Sequence, residues 1–440
     1  MLKKKIKYSL CDMEIVPARI SNIEHRSDIV VTDEDGHLPI FASPMDSVCD
    51  ETNYMLFEKQ GIIPTIHRNV NPNIKKELLK KGVWVAVTMD EFDAWFCDGE
   101  SELMASHIQN TYRVIIDVAN GHMQKIFHLV GTARLLSAIR GHKLILMSGN
   151  IANPLTYIDY CNATIDYVRC SIGSGAMCIT SSNSAVHYGN ASLIDDIVTL
   201  KKSTNCGFNT DFRTKIIADG GIRNYSDVAV ALALGADYVM IGGLFSAMYE
   251  SIAPFDNSEY NEYSDSNASN LQGKFIEKIV TNDNILYKFM IPSNRVGSFN
   301  ELAEKYHFDK IKENVDSSES QMNRLLFAEI PDEYINKEDV ARWLIENCSL
   351  YKTSHGMSTK EAQRGKLAAE GSDVDENKLK TSEGKVITQR VRYTVKQWTD
   401  NMRHYLRNTM SYCDARRLSE FIGKPTVNIK SYGTMMSVNK

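Results

Sequence analysis

One cysteine stands inside a glycine-rich run, Gly173-Ser174-Gly175-Ala176-Met177-Cys178-Ile179-Thr180. Cysteine is the side chain best able to add to an electrophilic carbon and leave again. The run follows a strand-like stretch, Tyr167 to Ile172. It precedes two more strand-plus-glycine units, Ile216-Ile217-Ala218-Asp219-Gly220-Gly221 and Tyr238-Val239-Met240-Ile241-Gly242-Gly243. Glycine lets backbone N–H groups approach phosphate oxygens closely. A soft nucleophile beside three glycine turns points to covalent chemistry on a phosphate-bearing substrate.

The elements that must position these residues are legible as short β-rich runs separated by helical patterns. The runs are 38–43, 62–67, 83–88, 113–118, 143–148, 167–172, 215–219 and 238–242. Amphipathic stretches lie between them at 71–81, 122–140 and 225–234. Eight strands alternating with helices predict an α/β fold, a parallel (β/α)8 TIM barrel. Many runs are nearly continuous in Val, Ile and Leu, as strands buried on both faces should be. A doubly wound open sheet is the structural alternative, because a strand count does not decide closure. In a barrel, functional groups lie just after the strands, on the C-terminal face. Here those positions hold Met45-Asp46, His67-Arg68, Asp117 to Gly121, Gly149-Asn150, the Cys178 loop, Asp219 to Gly221, and Gly242-Gly243. The last three loops make a candidate phosphate cradle.

Composition narrows the class. The chain has 440 residues, 43% hydrophobic and 24% charged, with a formal charge of −5. That balance suits a globular protein and offers no electrostatic footprint for nucleic acid. The basic start, Met1 to Lys5, is followed by no apolar signal core, and no run is long enough to span a bilayer. Nine cysteines without a CxxC pair argue against a disulfide framework or a zinc ribbon, so a cytoplasmic protein with reduced thiols is expected.

After the eighth strand the pattern breaks. Residues 6–252 read as the barrel and 254–349 as an inserted, mostly helical subdomain. Residues 350–424 read as a flap and the C-terminal part of the barrel domain, and 425–440 as a tail. Within 353–385 large apolar residues are too few to pack, which marks a candidate mobile flap over the barrel mouth.

Several segments, in order, resemble the inosine monophosphate dehydrogenase / GMP reductase family. They are CDMEIVPARI at 11–20, FASPMDSV at 41–48, GIIPTIHRN at 61–69, GSGAMCIT at 173–180, IIADGGIRN at 216–224 and ALALGADYVMIGGLF at 231–245. Tyr351, GMS at 356–358 and SEGK at 382–385 resemble the family's closing flap, and YCDARRL at 412–418 its last helix. The resemblance covers 6–252 and 350–424 and leaves the insertion outside.

The resemblance implies a cytoplasmic homotetramer acting on a purine nucleoside monophosphate, with no nucleic-acid or membrane partner. It implies that Cys178 adds to C2 of the purine to give a thioimidate, with Thr180 and Glu383 moving protons. Ser43, Met45, Asp219, Gly220, Gly221, Gly242, Gly243, Tyr351, Gly356 and Met357 would hold the substrate. Asp117, Ala119, Asn120 and Gly121 would hold a nicotinamide cofactor. In members with a monovalent-cation site such as K+, loop carbonyls bind the ion, and Gly173, Gly175 and Cys178 match those positions.

Smaller features favour the reductase branch. DVANGH at 117–122 and SEGK resemble the reductase, and no room exists after Arg68 for the dehydrogenase's paired regulatory modules. The adjacent Arg-Tyr that activates water in dehydrogenases is missing from 353–385. The expected reaction is NADPH-dependent conversion of GMP to IMP and ammonia. The alternatives are an IMP dehydrogenase using NAD, or an enzyme for a modified purine or a deoxynucleotide. Ala176 stands where the family often has a phosphate-binding serine, and His67 is expected to be a packed core histidine.

Overall fold

The computed structural model describes residues 6–203, 212–256, 274–281, 284–311, 326–357, 359–360, 363–364, 367 and 384–430. The chain divides into two units. One comprises Met1–Phe245, His355–Lys385 and Thr399–Lys440, and the other Ser246–Ser354 and Val386–Trp398.

Eight parallel strands build the first unit: β1 (Ile40–Ala42), β2 (Thr65–Ile66), β3 (Trp84–Val87), β4 (Thr111–Asp117), β5 (Lys143–Ile151), β6 (Tyr167–Cys170), β7 (Lys215–Asp219) and β8 (Tyr238–Ile241). From β2 to β8 each pairs with the next in sequence, and β1 pairs with β8. A parallel bridge between Phe41 and Ile63 joins the first strand to the approach of the second. The Ala42 and Ile63 amides donate to Ile63 and Ile40 carbonyls, each at 2.9 Å. The sheet is thereby a barrel, and the open doubly wound alternative falls.

Helices pack between the strands because the sequence starts and stops them locally. Asn71 accepts the Asn73 amide at the head of α1 (Pro72–Lys80), with proline at the first turn where no donor is missed. Thr88 and Glu91 form a reciprocal capping box at α2 (Met89–Phe96). Further along come α3 (Gln124–Arg140), α4 (Asn190–Lys202) and α5 (Tyr225–Leu234). Inside the barrel, Phe41 meets Trp84, Tyr167 and Tyr238 with ring centroids 5.8, 6.0 and 5.3 Å apart. Ile115, Met147, Ile217 and Met240 complete this core. Edge-on aromatic packing fills the lumen, so the barrel is a solid platform with its chemistry at one end.

The second unit departs from expectation. The insertion was read as mostly helical, but among the described residues it is mixed. Strands β9 (Lys274–Val280), β10 (Ile285–Ile291) and β11 (Leu326–Pro331) form an antiparallel sheet. Helices α6 (Val296–Tyr306) and α7 (Glu338–Asn347) accompany it. The apolar stretch 276–291 belongs to a hairpin, closed where Thr281 N–H donates to Asn284 O. Phe275, Phe289, Phe299, Ile330, Val340 and Leu344 share its core. The two ends of the insertion are stitched together: Asp256 N–H donates to Tyr351 O at 2.8 Å, and Thr353 N–H to Pro254 O at 3.1 Å. Strands β12 (Tyr351–His355) and β13 (Val386–Arg390) then pair as a ribbon.

Beside that seam lies a buried amine. Lys352 is 2% exposed, donates to Ser251 O at 2.5 Å, and sits 4.6 Å from the Phe255 ring. Burial lowers its pKa from 10.5 to about 7, against the pull of Glu250. Burial raises Glu250 from 4.5 to about 7. Above pH 7 the unfolded chain therefore binds a proton at residue 352 that the folded chain has lost. That contribution makes stability rise as pH climbs from about 7 towards 10.5. Lys352→Met should flatten this rise, which urea unfolding at a series of pH values would measure.

Candidate active site

Three residues at one level of the barrel organise its mouth. Asp117 on β4 pairs in register with Gly149 on β5, and Gly149 with Arg169 on β6. Gly149, at φ 144°, has no side chain, and a Cβ there would lie 2.6 Å from Arg169 O. The vacant level lets Arg169 reach across to Asp117, Nη1 to Oδ1 at 2.7 Å. Its Nε donates to Asp219 Oδ2 on β7 at 2.8 Å. The register slips after Gly149, leaving Asn150 unmatched as a bulge. Bulges re-aim side chains, and Asn150 Nδ2 donates to the same Asp219 oxygen at 2.6 Å.

These charges lie at low exposure, 9% for Arg169 and 12% for each aspartate. Burial opposes the charged form of Asp117, but Arg169 and Arg68 outweigh it and hold the carboxyl below its ordinary range. Arg68 approaches Asp117 Oδ2 at 3.6 Å and also donates to Met357 O at 3.3 Å. His67 is 7% exposed and accepts the Asn69 amide at 3.2 Å. Burial lowers its pKa to about 4, so its ring is neutral at pH 7.

The cysteine loop leans on the glycine turns. A Cβ on Gly220 would meet Gly175 N at 3.1 Å, and one on Gly243 would meet Ala176 Cβ at 3.8 Å. Gly221, at φ 77°, leaves space for Asn190, whose Nδ2 a Cβ would approach to 2.5 Å. Asn190 in turn donates to Gly220 O at 2.9 Å. Ser43 and the Met45 sulfur border Gly242. Cys178 is half-buried, its amide bonded to Gly175 O at 3.1 Å. On the far side, Cys178 bridges to Gly384, and Lys385 N–H donates to Met177 O at 2.8 Å.

The structure thus gathers Ser43, Met45, Asp219, Gly220, Gly221, Gly242, Gly243, Gly356 and Met357 with Asp117 and the cysteine loop. Thr180 opens a short helix, Thr180–Ser184. Ala119 and Asn120 are exposed at the end of β4, and Gly121 is buried under the Tyr160 hydroxyl. Tyr351 belongs to the second unit. Glu383, and most of the candidate flap with it, lies outside the described residues. Sequence reasoning placed Arg68 and Asn150 on the functional face without naming their partners, and passed over Arg169, Asn190 and His355. Arg169 carried one signal, a charge in the middle of the buried strand YVRC. Among the described residues no cluster of His, Cys, Asp and Glu could hold a metal ion, and no helix is long and apolar enough to cross a membrane.

A closed parallel barrel whose mouth joins a cysteine loop, glycine turns and a charge-bridged aspartate defines the class of α/β barrel enzymes. Residues 96–270 match the family model described as "IMP dehydrogenase / GMP reductase domain". The chain carries this oxidoreductase domain. It is 28% identical over 306 residues to a GMP reductase of Staphylococcus saprophyticus, covering 67% of this chain and 85% of that one. It is 29% identical over 231 residues to a GMP reductase of Variovorax paradoxus, covering 51% and 66%. A GMP reductase of an Exiguobacterium is 27% identical over 250 residues, covering 54% and 71%.

Replacing Arg169 tests the central bridge. Arg169→Met would leave Asp117 with only the more distant Arg68 and Asp219 with only the Asn150 amide, and should cost about 3–5 kcal/mol of stability in urea unfolding. Arg169→Lys keeps the charge but loses the planar fork, and should recover only part of that loss.

Proposed function

We propose that this chain is an NADPH-dependent GMP reductase that converts GMP to IMP and ammonia through a covalent adduct on Cys178. The packing of the cysteine loop between the glycine turns of β7 and β8 on one side and Gly356 and Gly384 on the other carries this reading. It sets a nucleophile beside a cradle of backbone groups and beneath the root of the flap.

In this reading the cradle of Gly220, Gly221, Gly242 and Gly243 takes the phosphate through backbone N–H groups, since neither Ala176 nor Gly243 offers a hydroxyl. Asp219, already oriented by Arg169 and Asn150, takes the ribose hydroxyls. Met357 faces the base. The Cys178 thiolate adds to C2, the C2–N2 bond breaks, and its electron pair leaves with the nitrogen. Thr180 and Glu383 deliver the proton that lets the nitrogen depart as ammonia, an assistance typically worth about 100–10,000-fold. A nicotinamide held by Asp117, Ala119, Asn120 and Gly121 would supply the hydride that C2 needs, after which the C–S bond breaks and the Cys178 thiolate is restored. Exposed Ala119 and Asn120, beside Asp117 and Gly121, are the shelf that would hold it.

The carbonyls of Gly173, Gly175 and Cys178 would serve a monovalent cation. Gly173 O already accepts the Ser181 hydroxyl at 3.3 Å and Gly175 O the Cys178 amide at 3.1 Å. Each keeps a second lone pair, and an all-oxygen donor set suits a hard ion. A cytoplasmic homotetramer is proposed with the activity. None of the eight described cysteines forms a disulfide.

Loss of NADPH absorbance with GMP, together with ammonia release, tests the reading. Cys178→Ala should abolish turnover while sparing nucleotide binding. NADH formation from IMP and NAD would make the enzyme a dehydrogenase instead. Turnover confined to a deoxynucleotide or modified purine would shift the substrate and leave the adduct chemistry in place.

A further inference from the structure

The short turn at residues 355–357 is held from two directions. On one side, Gly356 N–H donates to Lys385 O at 3.2 Å, and Lys385 N–H donates to Met177 O next to Cys178. On the other side, the turn is tied to the loops that follow β1 and β2. Asp46 N–H approaches the Met357 sulfur at 3.3 Å, and Arg68 holds the Met357 carbonyl. Asn69 Nδ2 donates to Asp46 Oδ2 at 3.1 Å. The other Asp46 oxygen faces His355 Nδ1 at 3.3 Å. Among the described residues, both of those atoms are buried and neither makes a hydrogen bond, to the other or elsewhere, so the two meet as a close polar contact. A buried carboxylate oxygen left without a hydrogen bond is costly. The facing imidazole is the polar group set against that cost.

The geometry points to the Asp46–His355 pair as a clasp that pins the Gly356–Met357 turn onto the cysteine loop. His355 is then a positioning residue: it acts through Met357, and Met357 faces the base above Cys178. The substrate side of this inference rests on the GMP reductase reading, whereas the clasp itself rests on the contacts alone.

A double-mutant cycle on the full-length protein separates the two. Asp46→Ala, His355→Ala and the double variant would be compared with the wild type, with His355→Asn retaining a polar atom near the Nδ1 position. Two readouts are used. The first is the rate of iodoacetamide alkylation at Cys178, followed by mass spectrometry of its peptide. The second is steady-state kinetics with GMP and NADPH. The expected result is severalfold faster alkylation in each single variant and no further gain in the double variant, because coupled partners are not additive. KM for GMP should rise about tenfold with kcat nearly unchanged, the signature of lost positioning shared by ground and transition states. His355→Asn should fall between the wild type and His355→Ala. Additive effects, unchanged alkylation, or a loss confined to kcat would overturn the clasp. If the wild type does not turn over GMP while the alkylation cycle behaves as expected, the substrate reading fails and the clasp stands.

Discussion

The mouth of this barrel depends on one guanidinium held between two aspartates. Taking Asp117 and Asp219 out of water is unfavourable unless a cation meets both with good geometry. Arg169 does so because its planar group offers donors in two directions, to Asp117 through Nη1 and to Asp219 through Nε. The reach is possible only because the strand between them presents Gly149 at that level. The bulge that follows aims Asn150 at the same carboxylate. The backbone register of four adjacent strands, β4 to β7, thus becomes the fixed direction of a single carboxylate at the barrel mouth.

Around this rigid centre the attachments are of a different kind. The barrel strands are locked by ladders and an aromatic lumen. The segment that crosses the cysteine loop is attached by a few hydrogen bonds, from Lys385 to Met177, from Gly356 to Lys385, and from Arg68 to Met357. Regions with few contacts open at lower free energy than the core around them. An enzyme that must admit a nucleotide and then exclude water needs such a division. Arg68 links the two parts, since it touches both Asp117 and the Met357 carbonyl.

Much of this was legible in the sequence for identifiable reasons. All eight strands could be read because a strand buried on both faces carries an unbroken apolar run, as in Val83–Val87. The helices at 72–80, 124–140 and 225–234 could be read from their amphipathic spacing. The cysteine loop stood out because glycines cluster where backbones approach closely. The insertion was misread because Ile276 to Ile291 has apolar residues whose spacing satisfies a helix as well as a hairpin, and only tertiary pairing decides between them. Asp219 was visible, but the reason for its orientation was not. Arg169 and Asn150 act through register and a bulge, and pairing between distant strands leaves no local mark. His355 was invisible for the same reason, because its partner Asp46 lies more than three hundred positions earlier.

The stitched ends of the insertion carry a consequence for how such a chain can change. Pro254 to Asp256 and Tyr351 to Thr353 lie side by side, so everything between them leaves and returns at one point. The cost of closing a loop grows only slowly with its length once its ends are fixed together. A lineage could lengthen, shorten or exchange the intervening cassette, and the seam would present the same two neighbouring segments to the chain that continues into the ribbon. The seam is a graft junction, where novelty can be added without redrawing the older architecture.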